Sequence, residues 1–176
     1  PAVSALTGIA ERGVRAINAQ NAWIMTSMLQ EVMRTGTAKA ALSLNRIDLA
    51  GKTGTTNEHK DTWFSGFNHQ IVATAWVGFD QAASLGPKET GARVALPIWM
   101  DFMQTALAGT PDSIAPEPPG LVTVRIDRDT GLLTDAGNPR AMFEVFRADN
   151  APNEHADAPP WGSSAPDAAA LPEQLF

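Results

Sequence analysis

Residues 70–80 constrain the fold of this chain more than any other stretch. Ile71, Ala73, Ala75, Val77 and Phe79 fall on one face of an extended segment, and Val72, Thr74, Trp76 and Gly78 fall on the other. A strand apolar on both faces needs cover on both, which predicts a place inside a sheet with helices above and below it. Candidate partners lie immediately upstream. Residues 61–67 are aromatic and β-prone, and Ile47-Asp48-Leu49-Ala50 alternates before running into Gly51-Lys52-Thr53-Gly54-Thr55-Thr56. The short links at residues 56–60 and at Asn68-His69 suit antiparallel hairpins. Three strands in series then form a ladder, with the Lys52 strand at one edge and residues 71–79 at the other.

Helical signals flank this ladder. Met25, Met28, Leu29, Val32 and Met33 form one apolar stripe, with Asn18 or Asn21 as start and Arg34 and Gly36 as end. Core packing is the expected use of that stripe, ahead of an adaptable methionine-rich binding face. A second helix is predicted over residues 92–107, striped by Ala92, Ala95, Leu96, Trp99, Met103 and Ala106. Pro97 must stand in its first turn or kink it, and Gly109 ends it. Residues 121–126 alternate as a further strand, followed by a turn at residues 127–131. No internal repeat is visible.

The charge is uneven. The whole chain carries a formal −6, but residues 147–176 hold one basic residue, Arg147, against Asp149, Glu154, Asp157, Asp167 and Glu173. That stretch also holds five of the thirteen prolines, so it is expected to be a mostly disordered tail, unable to offset its ordering entropy by burial. The negative balance argues against nucleic acid as a partner. Cysteine is absent and the three histidines (59, 69, 155) are scattered, which argues against a metal site, and nothing implies a cofactor. No apolar run reaches the roughly 18 residues of a membrane span.

Chemistry concentrates at Lys52. A lysine, small residues and hydroxyls at a strand end allow a ligand or another backbone to approach closely. An edge strand without bulky side chains offers its N–H and C=O groups to an extended peptide. Thr53 and Thr55 share a face and can hydrogen-bond a carboxylate, with Lys52 supplying positive charge beside them. A phosphate-binding P-loop would need glycine at position 46, where Arg46 stands, and a helix after Lys52, where turn and strand are predicted. Taken alone, Lys52-Thr53-Gly54 leaves open a plain polar strand end.

The run Asp48-Leu49-Ala50-Gly51-Lys52-Thr53-Gly54-Thr55-Thr56-Asn57 resembles the Lys-Thr-Gly strand of the class A, bifunctional penicillin-binding proteins. The likeness continues through Lys60-Asp61-Thr62-Trp63-Phe64-Ser65-Gly66-Phe67 and Val72-Ala73-Thr74-Ala75-Trp76-Val77-Gly78-Phe79-Asp80. It takes in residues 18–28, 95–103 and Pro118-Pro119-Gly120-Leu121-Val122-Thr123-Val124, and fades over most of the tail. The resemblance implies an α/β fold, an antiparallel sheet with helices on both faces as in serine β-lactamases, of which this chain is the C-terminal portion. Residues 1–146 would belong to that transpeptidase domain and residues 147–176 would form the acidic tail.

The resemblance also implies a function. In this family a serine attacks the penultimate D-Ala of a peptidoglycan stem peptide, the terminal D-Ala leaves, and the acyl group passes to another strand's amine. β-Lactam antibiotics acylate the same serine. Carried onto this sequence, Lys52 sits in the charge network around the nucleophile and Thr53 and Thr55 bind the carboxylate. Gly54 keeps the strand approachable, and the Thr55 N–H is an oxyanion-hole donor. Thr56 and Trp63 can line the cleft, although core packing is the plainer account of Trp63. The parent would be anchored in the inner membrane through an upstream part, with this segment soluble in the periplasm.

One departure limits the likeness. Ser4, Ser27, Ser43, Ser65, Ser84, Ser113, Ser163 and Ser164 all lack a lysine three residues on, so the family's Ser-x-x-Lys is not in this chain. Ser43-Leu44-Asn45 fits the family's Ser-x-Asn literally, but only seven residues before Lys52, and is taken as chance. An exposed apolar edge at residues 71–79 would be an aggregation hazard. The expectation is therefore that an upstream segment of the same polypeptide completes the sheet and brings the nucleophile, and that this chain alone is inactive. A serine β-lactamase-like hydrolase and a non-catalytic peptide-binding scaffold are the alternatives.

Overall fold

The computed structural model describes residues 16–156, so most of the expected tail, from residue 157, lies outside the described residues. The chain divides between Pro119 and Gly120 into two compact units. In the first, helix α1 spans Ala19–Arg34, and the Asn18 side chain caps it by accepting the Asn21 N–H at 2.7 Å. A short 3₁₀ helix, Lys39–Leu44, leads to strand β1, Ala50–Thr55. Strands β2, Asp61–Phe67, and β3, Val72–Gly78, follow, and helix α2 spans Ala95–Ala106. A single 3₁₀ turn, Asn57–His59, joins β1 to β2, in place of the helix a P-loop would require.

The three strands form an antiparallel sheet in the order β1-β2-β3. Register follows the hairpin links: Lys52 pairs with Ser65, Thr53 with Phe64, and Gly54 with Trp63, while Phe64 pairs with Ala75. Residues paired across an antiparallel ladder point to the same face. One face therefore carries Phe64, which is fully buried, and packs against α2 through Trp99, with ring centroids 4.8 Å apart. Leu96, Trp99 and Met103 of α2, Met33 of α1, Ala38, Ala41 and Leu49 complete this core. Trp99 anchors the helix to the sheet by donating its indole N–H to the Ala73 carbonyl at 3.1 Å. Gly66 makes room for it, since a Cβ there would lie 2.6 Å from the Trp99 ring. Pro97 falls in the first turn of α2, where no intrahelical N–H bond is lost.

Two expectations about burial change. The fold class stands, α/β with antiparallel strands and helices, and β3 ends the ladder as the order of the strands predicts, but the cover expected on both of its faces is found, among the described residues, on one. Among the described residues the face of Trp63, Ser65, Val72, Thr74 and Trp76 is exposed, Val72 by 79%. The methionine stripe of α1 also reaches the core only at its C-terminal end. Val32 and Met33 pack there, while Met25 and Met28 are 51% and 59% exposed. The physical reason is where α1 touches its neighbours: its contacts are to β1 and to the 3₁₀ segment that follows it.

The second unit is a hairpin of β4, Leu121–Asp127, and β5, Ala141–Arg147. Sequence reading identified β4 and the turn after it, and missed β5. Asp127 organises that turn: its carboxylate accepts from the Asp129 and Thr130 N–H groups and from Asn138 Nδ2 at 2.7 Å. Those bonds, Asn138 foremost, hold its carboxyl below the usual carboxylate range. Leu133 bridges to His155, so the described residues after β5 return to this unit.

Candidate active site

Strand β1 brings four of the sequence-predicted site residues together, Lys52, Thr53, Gly54 and Thr55, and hydrogen-bond parity decides which way each main-chain group points. The Thr56 N–H donates to the Asp61 carbonyl at 3.0 Å. In an antiparallel pair this alternates, so Gly54 and Lys52 turn their main-chain groups toward β2 and Thr53 and Thr55 turn theirs away from it. β1 pairs with β2 alone among the described strands, so the Thr53 and Thr55 N–H groups face its unpaired edge.

Side chains gather along the same edge. The exposed Lys52 ammonium curls back to donate to the Thr53 carbonyl at 3.0 Å and lies 3.3 Å from the Thr53 hydroxyl. Thr37, from the turn after α1, sets its hydroxyl 2.8 Å from that of Thr53. The Thr55 hydroxyl accepts the N–H of Gly91 at 3.0 Å. Gly91 lies so close to the β1–β2 ladder that a Cβ would come within 2.4 Å of the Trp63 carbonyl and 2.6 Å of that of Gly54. Thr37 and Gly91 carry no signal in the sequence reading, because both reach the strand from distant segments.

The remaining candidates stand apart from this edge. Thr56 closes the hairpin: its hydroxyl accepts the Asp61 N–H at 2.8 Å. The hairpin tip uses two consecutive left-handed residues, Glu58 (φ 59°) and His59 (φ 53°), with a Lys60–Glu58 ion pair at 2.7 Å. Trp63 is 42% exposed and tilts against Trp76 with centroids 5.9 Å apart, so Trp99, not Trp63, is the core tryptophan among the described residues. Gly54 faces Trp63, and a Cβ on it would meet the Trp63 Cβ at 3.2 Å. Ser43 donates to the Ala40 carbonyl within the 3₁₀ helix. Ser65, opposite Lys52, pairs with the Thr74 hydroxyl at 3.0 Å.

Behind β1 a buried ion pair fixes where the strand begins. Asp48 accepts from Arg46 Nε and Nη2 at 2.9 and 2.7 Å, from Asn68 Nδ2 and from the Ser113 N–H. Burial pushes its carboxyl up, but these bonds outweigh burial and hold it below the ordinary range. The Arg46 guanidinium is correspondingly raised by the hydrogen bond to Asp48. Arg46 also donates to the Thr110 carbonyl, which ties the segment after α2 to the base of β1.

Comparison with known proteins adds the wider context. The family described as Penicillin binding protein transpeptidase domain matches residues 8–104. Penicillin-binding protein 1A of Pseudomonas aeruginosa is 50% identical over 165 residues, 92% of this chain and 20% of that protein. Penicillin-binding protein 1A of Neisseria lactamica is 42% identical over 131 residues, 70% of this chain and 16% of that protein. The crystal structure of Penicillin-Binding Protein 1A from Haemophilus influenzae superposes with a TM-score of 0.74 at 35% identity, covering 81% of this chain and 22% of that one. The chain thus spans about a fifth of the length of these relatives. The Lys-Thr-Gly edge strand, its sheet and these likenesses agree: the chain belongs to the penicillin-binding protein transpeptidase domain family.

Proposed function

We propose that this chain is the C-terminal part of a D,D-transpeptidase that cross-links peptidoglycan stem peptides and is acylated by β-lactams, in a bifunctional synthase that also carries a glycosyltransferase. The observation that carries the reading is the unpaired edge of β1, toward which the Thr53 and Thr55 N–H groups turn and where the Lys52 ammonium lies 3.3 Å from the Thr53 hydroxyl. An extended peptide ending in a carboxylate satisfies all of them. Thr53 and Thr55 bind the carboxylate, Gly54 leaves space for the backbone, and Thr56 holds the strand's exit.

In this reading a serine from an upstream segment attacks the penultimate D-Ala carbonyl. The developing oxyanion is bound by the Thr55 N–H, and Lys52 lowers the cost of negative charge nearby. The C–N bond then breaks, the terminal D-Ala leaves with a proton on its amine, and the acyl group passes to an acceptor amine. The parent lies at the inner membrane facing the periplasm, reached through that upstream part. Among the described residues no helix is long and apolar enough to cross a membrane. Residues 1–146 form part of the catalytic domain and residues 147–176 its acidic tail.

The test is labelling of the complete polypeptide with a fluorescent penicillin. Lys52→Ala, and Thr53→Val combined with Thr55→Val, should each slow acylation roughly ten- to a hundredfold while thermal unfolding stays unchanged, as expected for lost hydrogen bonds to a charged ligand. Wild-type labelling rates in both variants would remove β1 from the site. Rapid release of the label would identify a hydrolase instead.

A further inference from the structure

Thr37 belongs to no motif, yet its hydroxyl lies 2.8 Å from that of Thr53, sixteen residues away in sequence. We propose that Thr37 is a positioning residue for the carboxylate-binding hydroxyl of Thr53, an inference that rests on the reading of β1 given above.

The turn that presents Thr37 is fixed on both sides. Gly36 packs on the end of α1, where a Cβ would lie 2.9 Å from the backbone of Val32, so the chain can pass only as glycine. Ala38 is fully buried in the core, and its N–H donates to the Val32 carbonyl at 3.2 Å. Between these anchors Thr37 is exposed on the side of Thr53.

The hydrogen-bond inventory then sets the role. A threonine hydroxyl has one proton to donate and two lone pairs. The Thr53 oxygen is already within reach of the Lys52 ammonium at 3.3 Å. When Thr37 donates into the second lone pair, the Thr53 proton is left to point outward, and both incoming donors polarise it toward an anion. A hydroxyl held in this way has fewer rotamers to lose when the carboxylate arrives. Thr37 therefore acts on initial binding, through Thr53, and stays out of the chemical steps.

Acylation kinetics of the complete polypeptide with fluorescent penicillin separate the outcomes. Thr37→Val should raise the penicillin concentration needed for half-maximal acylation about three- to tenfold, the worth of one neutral hydrogen bond, with the maximal rate and thermal unfolding unchanged. Thr37→Ser should restore it. Added to Thr53→Val, Thr37→Val should cost nothing further, because the partner is already gone. If Thr53→Val slows labelling but Thr37→Val does not, or if their costs simply add, the positioning role is overturned while the reading of β1 survives. If Thr53→Val labels normally, this inference falls, and the reading of β1 falls with it when Lys52→Ala and the pair Thr53→Val, Thr55→Val label normally as well.

Discussion

Gly91→Ala probes the link between packing and the proposed site. Its Cβ would stand 2.4 Å from the Trp63 carbonyl oxygen and 2.6 Å from that of Gly54, against 3.4 Å or more in ordinary contact. Both oxygens belong to the β1–β2 ladder, so neither can move without breaking strand pairing. The segment entering α2 must instead retreat by about 1 Å. That retreat stretches the Gly91 N–H bond to the Thr55 hydroxyl, 3.0 Å in the intact protein, beyond hydrogen-bonding range. Overpacking costs about 1–3 kcal/mol and the lost bond about 0.5–1.5 kcal/mol, together about 1.5–4.5 kcal/mol of stability. Thermal unfolding and penicillin acylation of the complete polypeptide read both consequences: a lower midpoint, and acylation slowed about tenfold as the Thr55 hydroxyl loses its orientation. Gly137→Ala is the control, because nothing lies within 4 Å of its Cβ position, and it should shift stability by less than about 0.5 kcal/mol. Wild-type stability and labelling in Gly91→Ala would refute the argument.

Arg46→Met should destabilise the fold by about 3–5 kcal/mol, because it strands the buried Asp48 carboxylate, and the double change Arg46→Met with Asp48→Asn should recover most of that loss in denaturant titrations. The same pair predicts the acid limb of stability. Asp48 is held below its ordinary value near about 3.9, so its contribution is complete above that value and is lost as pH falls through the lower folded one. Unfolding midpoints should be flat from about pH 7 to 5 and fall below about pH 4, and Asp48→Asn should flatten that limb; an equally steep limb in the variant would count against the assignment. Residues 1–176 expressed alone should be insoluble or molten, judged by light scattering and cooperativity of melting, whereas a monodisperse, cooperative fold would remove the need for an upstream partner.

Sequence reading reached those parts of the molecule that local rules decide. Period-two alternation and the short links at residues 56–60 and 68–69 set the order β1-β2-β3, and the Asn18 cap and the position of Pro97 followed from backbone chemistry. The Lys52–Thr55 run was visible because its composition is odd for a strand. What escaped depends on contacts between distant segments. Thr37 and Gly91 meet β1 across 16 and 36 residues, and an isolated threonine or glycine announces neither contact. The α1 stripe predicted burial for Met25 and Met28, but periodicity records which residues share a face and is silent on how much of that face finds a partner. Strand β5, although aromatic and β-prone, was hidden beside an expected tail that begins at its last residue.

The sheet has two free edges among the described residues, and their chemistry differs in a way that bears on function. Unpaired strand edges invite association with any other strand, and lysine is a common defence. The edge of β1 carries Lys52, hydroxyls and two glycines, which discourage a second protein strand yet suit a short peptide bearing a carboxylate. β3 has no such guard: it carries no charged side chain, and its Val72 and Trp76 are exposed and apolar on the sheet face that Trp63 shares. That surface suits permanent burial by protein, the opposite of a site that must open to each new substrate. In the proposed reading the upstream segment therefore covers the β3 side and delivers its serine to the β1 side. The division follows from side-chain chemistry alone, since both strands offer the same main-chain groups.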